Sequence, residues 1–251
     1  MKRLYALLAL LLISGLLVAC GDGAADGDCT YTVAVENAYP PFNYIDEETG
    51  DAIGWDYDVV TEIFNRMDCE PEFVEAAWDG IFPAMQAGEY DMLADGVTVT
   101  AERDEIIDYS IPYVVIGQVL LIKAEDTIDD VDAFRADPDV LVGTQIQTTN
   151  EIVALENFPA ESVQSYEEFG GAIAALLSGD VDAVVIDTVS AVGFISENEG
   201  LLKIGPALTS DEELAFVFPP DSELRELVDE ALQAMIDDGS LATYNDQWFN
   251  P

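Results

Sequence analysis

Gly80-Ile81-Phe82-Pro83-Ala84-Met85-Gln86-Ala87-Gly88-Glu89-Tyr90-Asp91-Met92-Leu93-Ala94-Asp95 has a weak echo later in the chain, Gly171-Ala172-Ile173-Ala174-Ala175-Leu176-Leu177-Ser178-Gly179-Asp180-Val181-Asp182-Ala183-Val184-Val185-Ile186-Asp187. Each reads as a helix stopped by glycine, then an acid, then a short buried strand ending on aspartate. A unit used twice points to two related lobes. Open α/β sheets bind ligands outside the carboxyl ends of their strands. Asp95, with Gly96-Val97-Thr98 behind it, and Asp187, with Thr188 behind it, are therefore candidate polar groups on two sheet edges facing one cleft, the arrangement of a clamp.

Outward from this pair the pattern continues. Val33–Val35, Val119–Ile122, Val140–Val142 and Ala215–Phe218 read as further buried strands. Residues 56–67, 79–87, 149–157, 168–178, 188–197 and 222–238 read as helices. Alternation of this kind predicts an α/β protein with mostly parallel sheets.

The amino terminus sets the compartment. Lys2 and Arg3 precede an almost wholly apolar run over residues 4–19, the form of a signal peptide over residues 1–19. Leu17-Val18-Ala19-Cys20 with Gly21 behind it resembles the lipobox of bacterial lipoproteins, which implies lipid on Cys20 and a flexible tether over 20–28. An ordinary secretory signal with a coincidental Cys20 is the alternative. No later apolar run is long enough to span a bilayer. In an oxidising compartment Cys29 and Cys69, each just ahead of a strand-like segment, would be brought together by neighbouring parallel strands as a structural disulfide. The competing reading, a reactive thiol, lacks a basic neighbour to lower its pKa.

The 251 residues hold 51 Asp plus Glu against 8 Lys plus Arg and no histidine, a formal charge of −43. Nucleic acid and anionic lipid surfaces are poor partners for such a chain. Histidine-dependent triads and histidine metal sites are excluded. The acids read as a solvated surface. Around Asp46–Asp51 and Asp126–Asp132 they do not fit the spacing of a calcium loop, so neither a metal nor a cofactor is expected.

Glu36-Asn37-Ala38-Tyr39-Pro40-Pro41-Phe42, Gly54-Trp55-Asp56-Tyr57-Asp58, Trp78-Asp79-Gly80-Ile81-Phe82-Pro83-Ala84, Asp95-Gly96-Val97-Thr98-Val99-Thr100-Ala101-Glu102-Arg103 and Asp187-Thr188, closed by Asp238-Gly239 through Trp248, occur in an order that resembles one family. From Val33 onward the chain is similar to the bacterial extracellular solute-binding proteins of the polar amino acid class, capture subunits of ABC importers. The resemblance implies the two-lobed type II periplasmic-binding-protein fold. Lobe 1 would be residues 29–113 and 215–251, lobe 2 residues 118–210, with hinge crossings at 114–117 and 211–214.

It also implies a site. Arg103 would take a ligand carboxylate through its planar fork, and Asp187 would accept the ammonium. Its other reading is a helix N-cap, and both can hold. Thr98 and the Gly96 backbone would hydrogen-bond the same groups, and Thr100 would cap the short helix presenting Arg103. Thr148 and Thr149 would offer N–H groups at a helix start, although Gln147 stands where many relatives have glycine. Gln145 would touch the ligand side chain, and Tyr39 and Trp78 would sandwich the ligand. Glu36 and Asp95 beside those rings suit a lysine, arginine or ornithine side chain, with an uncharged polar amino acid such as glutamine as the alternative.

A binding protein is expected rather than an enzyme. Cyclohexadienyl dehydratases share the fold, but their cyclic dicarboxylate substrate would favour more cations than Arg103 alone. A sensor domain would ordinarily continue into a transmembrane helix, whereas this sequence stops at Pro251. The implied partners are an amino acid, an ABC permease and, through Cys20, the membrane, with the protein a monomer.

Overall fold

The computed structural model describes residues 29–250; the expected signal peptide over 1–19 and the expected tether over 20–28, with Cys20, lie outside them. Its centre is two five-stranded sheets. The first runs β5 (Glu70–Glu75), β1 (Thr30–Val35), β6 (Met92–Leu93), β15 (Val217–Phe218), β7 (Asp108–Tyr109). The second runs β11 (Val163–Tyr166), β10 (Val142–Gln145), β12 (Ala183–Asp187), β9 (Gln118–Lys123), β13 (Leu202–Ala207). The echo in the sequence is thus β6 and β12, each the middle strand of its sheet. Both strands are buried along their length, which is why they read as unbroken apolar runs.

Each sheet is parallel on one side of its middle strand and antiparallel on the other. The expectation of mostly parallel sheets therefore holds for half of each. The antiparallel partners β15 and β9 are the strands that follow the connections between the sheets, so the chain enters them from the cleft end. Those connections pair as a ribbon, β8 (Val114–Ile116) against β14 (Glu212–Leu214). Beside it Gly117 passes so close to Thr209 that a Cβ would lie 2.4 Å from the carbonyl oxygen.

Helices α1 (Trp55–Arg66), α2 (Ile81–Ala87), α4 (Thr149–Asn157), α5 (Phe169–Ser178), α6 (Thr188–Glu197) and α7 (Glu223–Asp238) lie where the periodicity predicts them. In α1, Val59, Val60, Ile63 and Phe64 form the buried face, and in α7 Leu224, Val228, Leu232 and Met235 do. Gly88 and Gly179 stop α2 and α5 at φ +71° and +85°, left-handed positions that favour glycine.

Some elements lie outside the sequence reading: the small sheet β2 (Ala38–Tyr39), β3 (Asn43–Ile45), β4 (Ala52–Ile53), helix α3 (Val131–Ala136), and α8 (Ser240–Phe249). The strand expected at Val140–Val142 begins at Val142 and runs on through Gly143-Thr144-Gln145. Pairing to β11 and β12 on both sides overrides the weak strand preference of Gly143 and Gln145.

Cys29 and Cys69 are joined, their Cα atoms 4.6 Å apart, just ahead of the parallel pair β1 and β5. Between the lobes, Gly193 of α6 meets the backbone of Pro40 and Pro41, where a Cβ would lie 2.6 Å from the Pro40 carbonyl. No helix among the described residues is long and apolar enough to cross a membrane.

Candidate functional site

A cavity lies between the two sheets. Glu36, Tyr39, Trp78, Asp95, Gly96, Thr98 and Arg103 line it from the first lobe, and Gln145, Thr148, Thr149 and Asp187 from the second. These are the residues singled out in the sequence. The structure adds Asn150 and Phe169, the second residue of α4 and the first of α5.

Arg103 opens a single 3-10 turn whose first N–H is held by the Thr100 hydroxyl at 3.2 Å. Its guanidinium donates to the Thr98 carbonyl at 3.0 Å and stacks over the Phe82 ring at 4.3 Å. It forms no ion pair among the described residues, in a chain crowded with carboxylates. Burial pulls its pKa down from the ordinary value. A half-spent planar fork, with donors left over and no ion pair, has the chemistry to accept a carboxylate.

Asp187 ends β12 and holds the N-cap position of α6, yet its side chain caps nothing. Its carboxylate accepts from Tyr39 Oη at 2.6 Å and from Asn150 Nδ2 at 2.8 Å. Burial pushes the carboxyl up to about 6, an effect those two hydrogen bonds and nearby Arg103 partly offset. The N-cap reading is therefore true of its backbone only.

Glu36 and Asp95 form the acidic end. Gln145 Nε2 donates to Glu36 Oε1 at 2.6 Å, and Asn43 Nδ2 donates to Asp95 Oδ1 at 2.8 Å. Burial raises both carboxyls well above the usual range, and the Asp95 charge adds to the rise at Glu36.

The aromatic expectation takes a different form. Tyr39 stacks on Phe42 and on Phe169, at 5.5 and 5.3 Å, while Trp78 meets Phe82 edge-on at 5.3 Å. Tyr39 and Trp78 both line the cavity, and the Tyr39 hydroxyl is engaged by Asp187. Gly96, at φ +56°, lies under Tyr39, where a Cβ would sit 2.9 Å from the ring.

Thr148 caps α4, accepting from the Glu151 N–H at 3.1 Å, and Thr149 Oγ1 meets Thr98 Oγ1 at 3.2 Å. Gln147 adopts φ +60°, the conformation a glycine there would supply freely. Its side chain donates across the cleft to Asp79 Oδ1 at 2.6 Å. Among the described residues no group of three or more His, Cys, Asp or Glu is arranged to hold a metal.

Three comparisons bear on this geometry. The sequence profile of the bacterial extracellular solute-binding proteins, family 3, matches residues 31–251. The L-cystine-binding protein TcyA of Bacillus subtilis is 28% identical, over 97% of this chain and 97% of its own. An ancestral arginine-binding protein, solved bound to glutamine, superposes with a TM-score of 0.80 at 32% identity, covering 88% of this chain and 98% of that one. The arginine-, lysine-, histidine-binding protein ArtJ of Geobacillus stearothermophilus gives a TM-score of 0.80 at 29% identity, covering 88% of this chain and 96% of its own. The two sheet-rich lobes are those of the type II periplasmic-binding-protein fold. By sequence and fold, the chain belongs to the bacterial extracellular solute-binding proteins, family 3.

Proposed function

We propose that this protein is the extracytoplasmic capture subunit of an ABC importer and that it binds a free polar L-amino acid, with arginine, lysine or ornithine favoured. One observation carries the reading: the cavity is lined at one place by a half-buried guanidinium that forms no ion pair among the described residues, and at another by buried carboxyls without a cation. A zwitterion with a cationic side chain supplies both missing charges.

In this reading Arg103 takes the α-carboxylate, helped by Thr98, the Gly96 backbone and the N–H groups at Thr148 and Thr149. Asp187 accepts the α-ammonium. Glu36 and Asp95 face the side chain beside Trp78, and Gln145 and Tyr39 complete the enclosure. Residues 29–113 with 215–251 form one lobe and 118–210 the other, flexing at 114–117 and 211–214. The protein works as a monomer, anchored by lipid on Cys20 after loss of residues 1–19, and hands its ligand to a permease. The role is binding and not catalysis.

A second reading, a neutral amide side chain, is favoured by Gln145, whose amide already donates to Glu36 at 2.6 Å. The ancestral relative solved with glutamine supports it. Titration calorimetry of the purified protein against the amino acids and ornithine decides between the two. Binding of cationic amino acids alone supports the first reading, binding of glutamine alone the second, and binding of none removes both.

A further inference from the structure

The cavity's acidic end continues into the protein. Asp56, in the first turn of α1, is fully buried and does not line the cavity. Asn43 joins it to the site, since the one amide nitrogen donates to Asp56 Oδ2 and to Asp95 Oδ1, both at 2.8 Å. The amide cannot turn over, because its oxygen accepts the Asn37 N–H at 2.6 Å. Asp56 Oδ1 is sealed from solvent without any partner.

Glu36, Asp95 and Asp56 thus share one short buried array. None of Arg66, Arg103, Lys123, Arg135, Lys203 or Arg225 forms an ion pair with them. The other titratable groups acting on the array are Glu168, Tyr39, Tyr57 and Tyr113, which supply no positive charge. The only side-chain hydrogen bonds to these three carboxyls among the described residues come from two neutral amides, Asn43 for Asp56 and Asp95 and Gln145 for Glu36. Neighbouring buried carboxylates without a cation cannot all be ionised, so such an array keeps a proton.

We propose that capture is an exchange: the cationic side chain of the ligand enters against Glu36 and Asp95, and a proton leaves the Glu36–Asp95–Asp56 array for the solvent. The proposal rests on the cationic reading above. The carboxyl O–H bond breaks, the proton passes to water or buffer, and the site's net charge is unchanged by occupancy. Burial holding Asp56 up at about 8 places the exchange in the neutral to mildly alkaline range. A neutral amino acid would displace no proton.

Calorimetry of the whole protein with L-arginine, L-lysine, L-ornithine and L-glutamine tests this, run in phosphate and in Tris, whose ionisation enthalpies differ, between pH 6 and 9. The expected result is a buffer-dependent heat giving up to about one proton released per cationic ligand, with affinity rising up to about tenfold per pH unit across the window. The Asp56→Asn variant should move that pH profile to lower pH by removing one acid from the array. A purely structural Asp56 would instead scale affinity alike at every pH. Tight cationic binding with equal heats in both buffers and a flat pH profile overturns the exchange and leaves the cationic reading standing. Binding of glutamine alone, or of no amino acid, overturns both. If Asp56→Asn fails to fold, the two-buffer experiment on the unaltered protein still decides.

Discussion

Asp95 and Asp187 occupy the same place in two lobes. Each follows a helix, a left-handed glycine and a buried middle strand, and each is almost wholly buried. Their surroundings nonetheless differ in origin. Asp95 is served by Asn43, a residue of its own lobe. Asp187 is served by Asn150 of its own lobe and by Tyr39 of the other. The strand end provides a location and nothing more; the chemistry comes from the loops that reach it. The Asp95 carboxylate finds its side-chain partner within one lobe, although Glu36 beside it takes Gln145 from the other, whereas the Asp187 carboxylate has both its partners only with the lobes together.

Several substitutions would break or sharpen that contrast. Arg103→Ala removes the counter-charge that belongs to the first lobe and should cost about 2–5 kcal/mol of affinity, measured by calorimetry, by leaving a ligand carboxylate buried and unpaired. Less than a tenfold change in Kd would place the carboxylate elsewhere. Replacing Cys29 and Cys69 by serine, which opens a link across a sequence separation of 40, should cost about 2–4 kcal/mol in denaturant unfolding. That loss should fall on the first lobe and leave affinity nearly unchanged at temperatures where the protein stays folded.

The two aspartates should then part company. Asp187→Asn is expected to weaken every amino acid alike, by about 1.5–3 kcal/mol, the range for a charged hydrogen bond. Asp95→Asn should instead alter the order of preference among side chains. Equal effects in a competition assay would erase the contrast. The mildest test is a slope. Asp56 holds its proton up to about pH 8 in the folded protein but only to about 4 when unfolded, because burial disfavours the charged form. The folded state binds more protons across that window, so this stabilisation is complete below about pH 4 and is lost as pH rises through 8. The melting temperature of the unliganded protein should fall from pH 5 to pH 9, and Asp56→Asn should flatten the fall.

Much of this was legible beforehand because the signals are local. Glycine stops, acids and apolar runs placed β6 and β12, and cysteines ahead of two strands foretold the Cys29–Cys69 bond. Arg103 was legible through the resemblance of Asp95 through Arg103 to the family, with the scarcity of basic residues beside it. Asn43 and Asp56 were not. An aspartate in the first turn of a helix ordinarily faces water, and only the packing of α1 behind the cleft buries this one. Asn150 and Phe169 were missed because they read as ordinary early helix residues. Helix α8 was missed because Gly239 reads as a stop, and because Leu241 is its one buried residue.

The glycine in the middle of α6 has a practical reach. Asp187 begins that helix and Gly193 lies further along it, so one rigid rod carries both a contact to the cavity and a point where the lobes touch backbone to backbone. What Gly193 meets is main chain, which cannot rotate out of the way as a side chain would. Alanine, serine and valine at 193 would therefore act as a set of shims of increasing thickness. Each would hold the jaws apart by a fixed amount without changing the identity of any residue that lines the cavity. A reporter dye spanning the lobes, read across such a series, would turn one backbone contact into a calibrated scale for how much of the binding energy is spent on shutting the cleft.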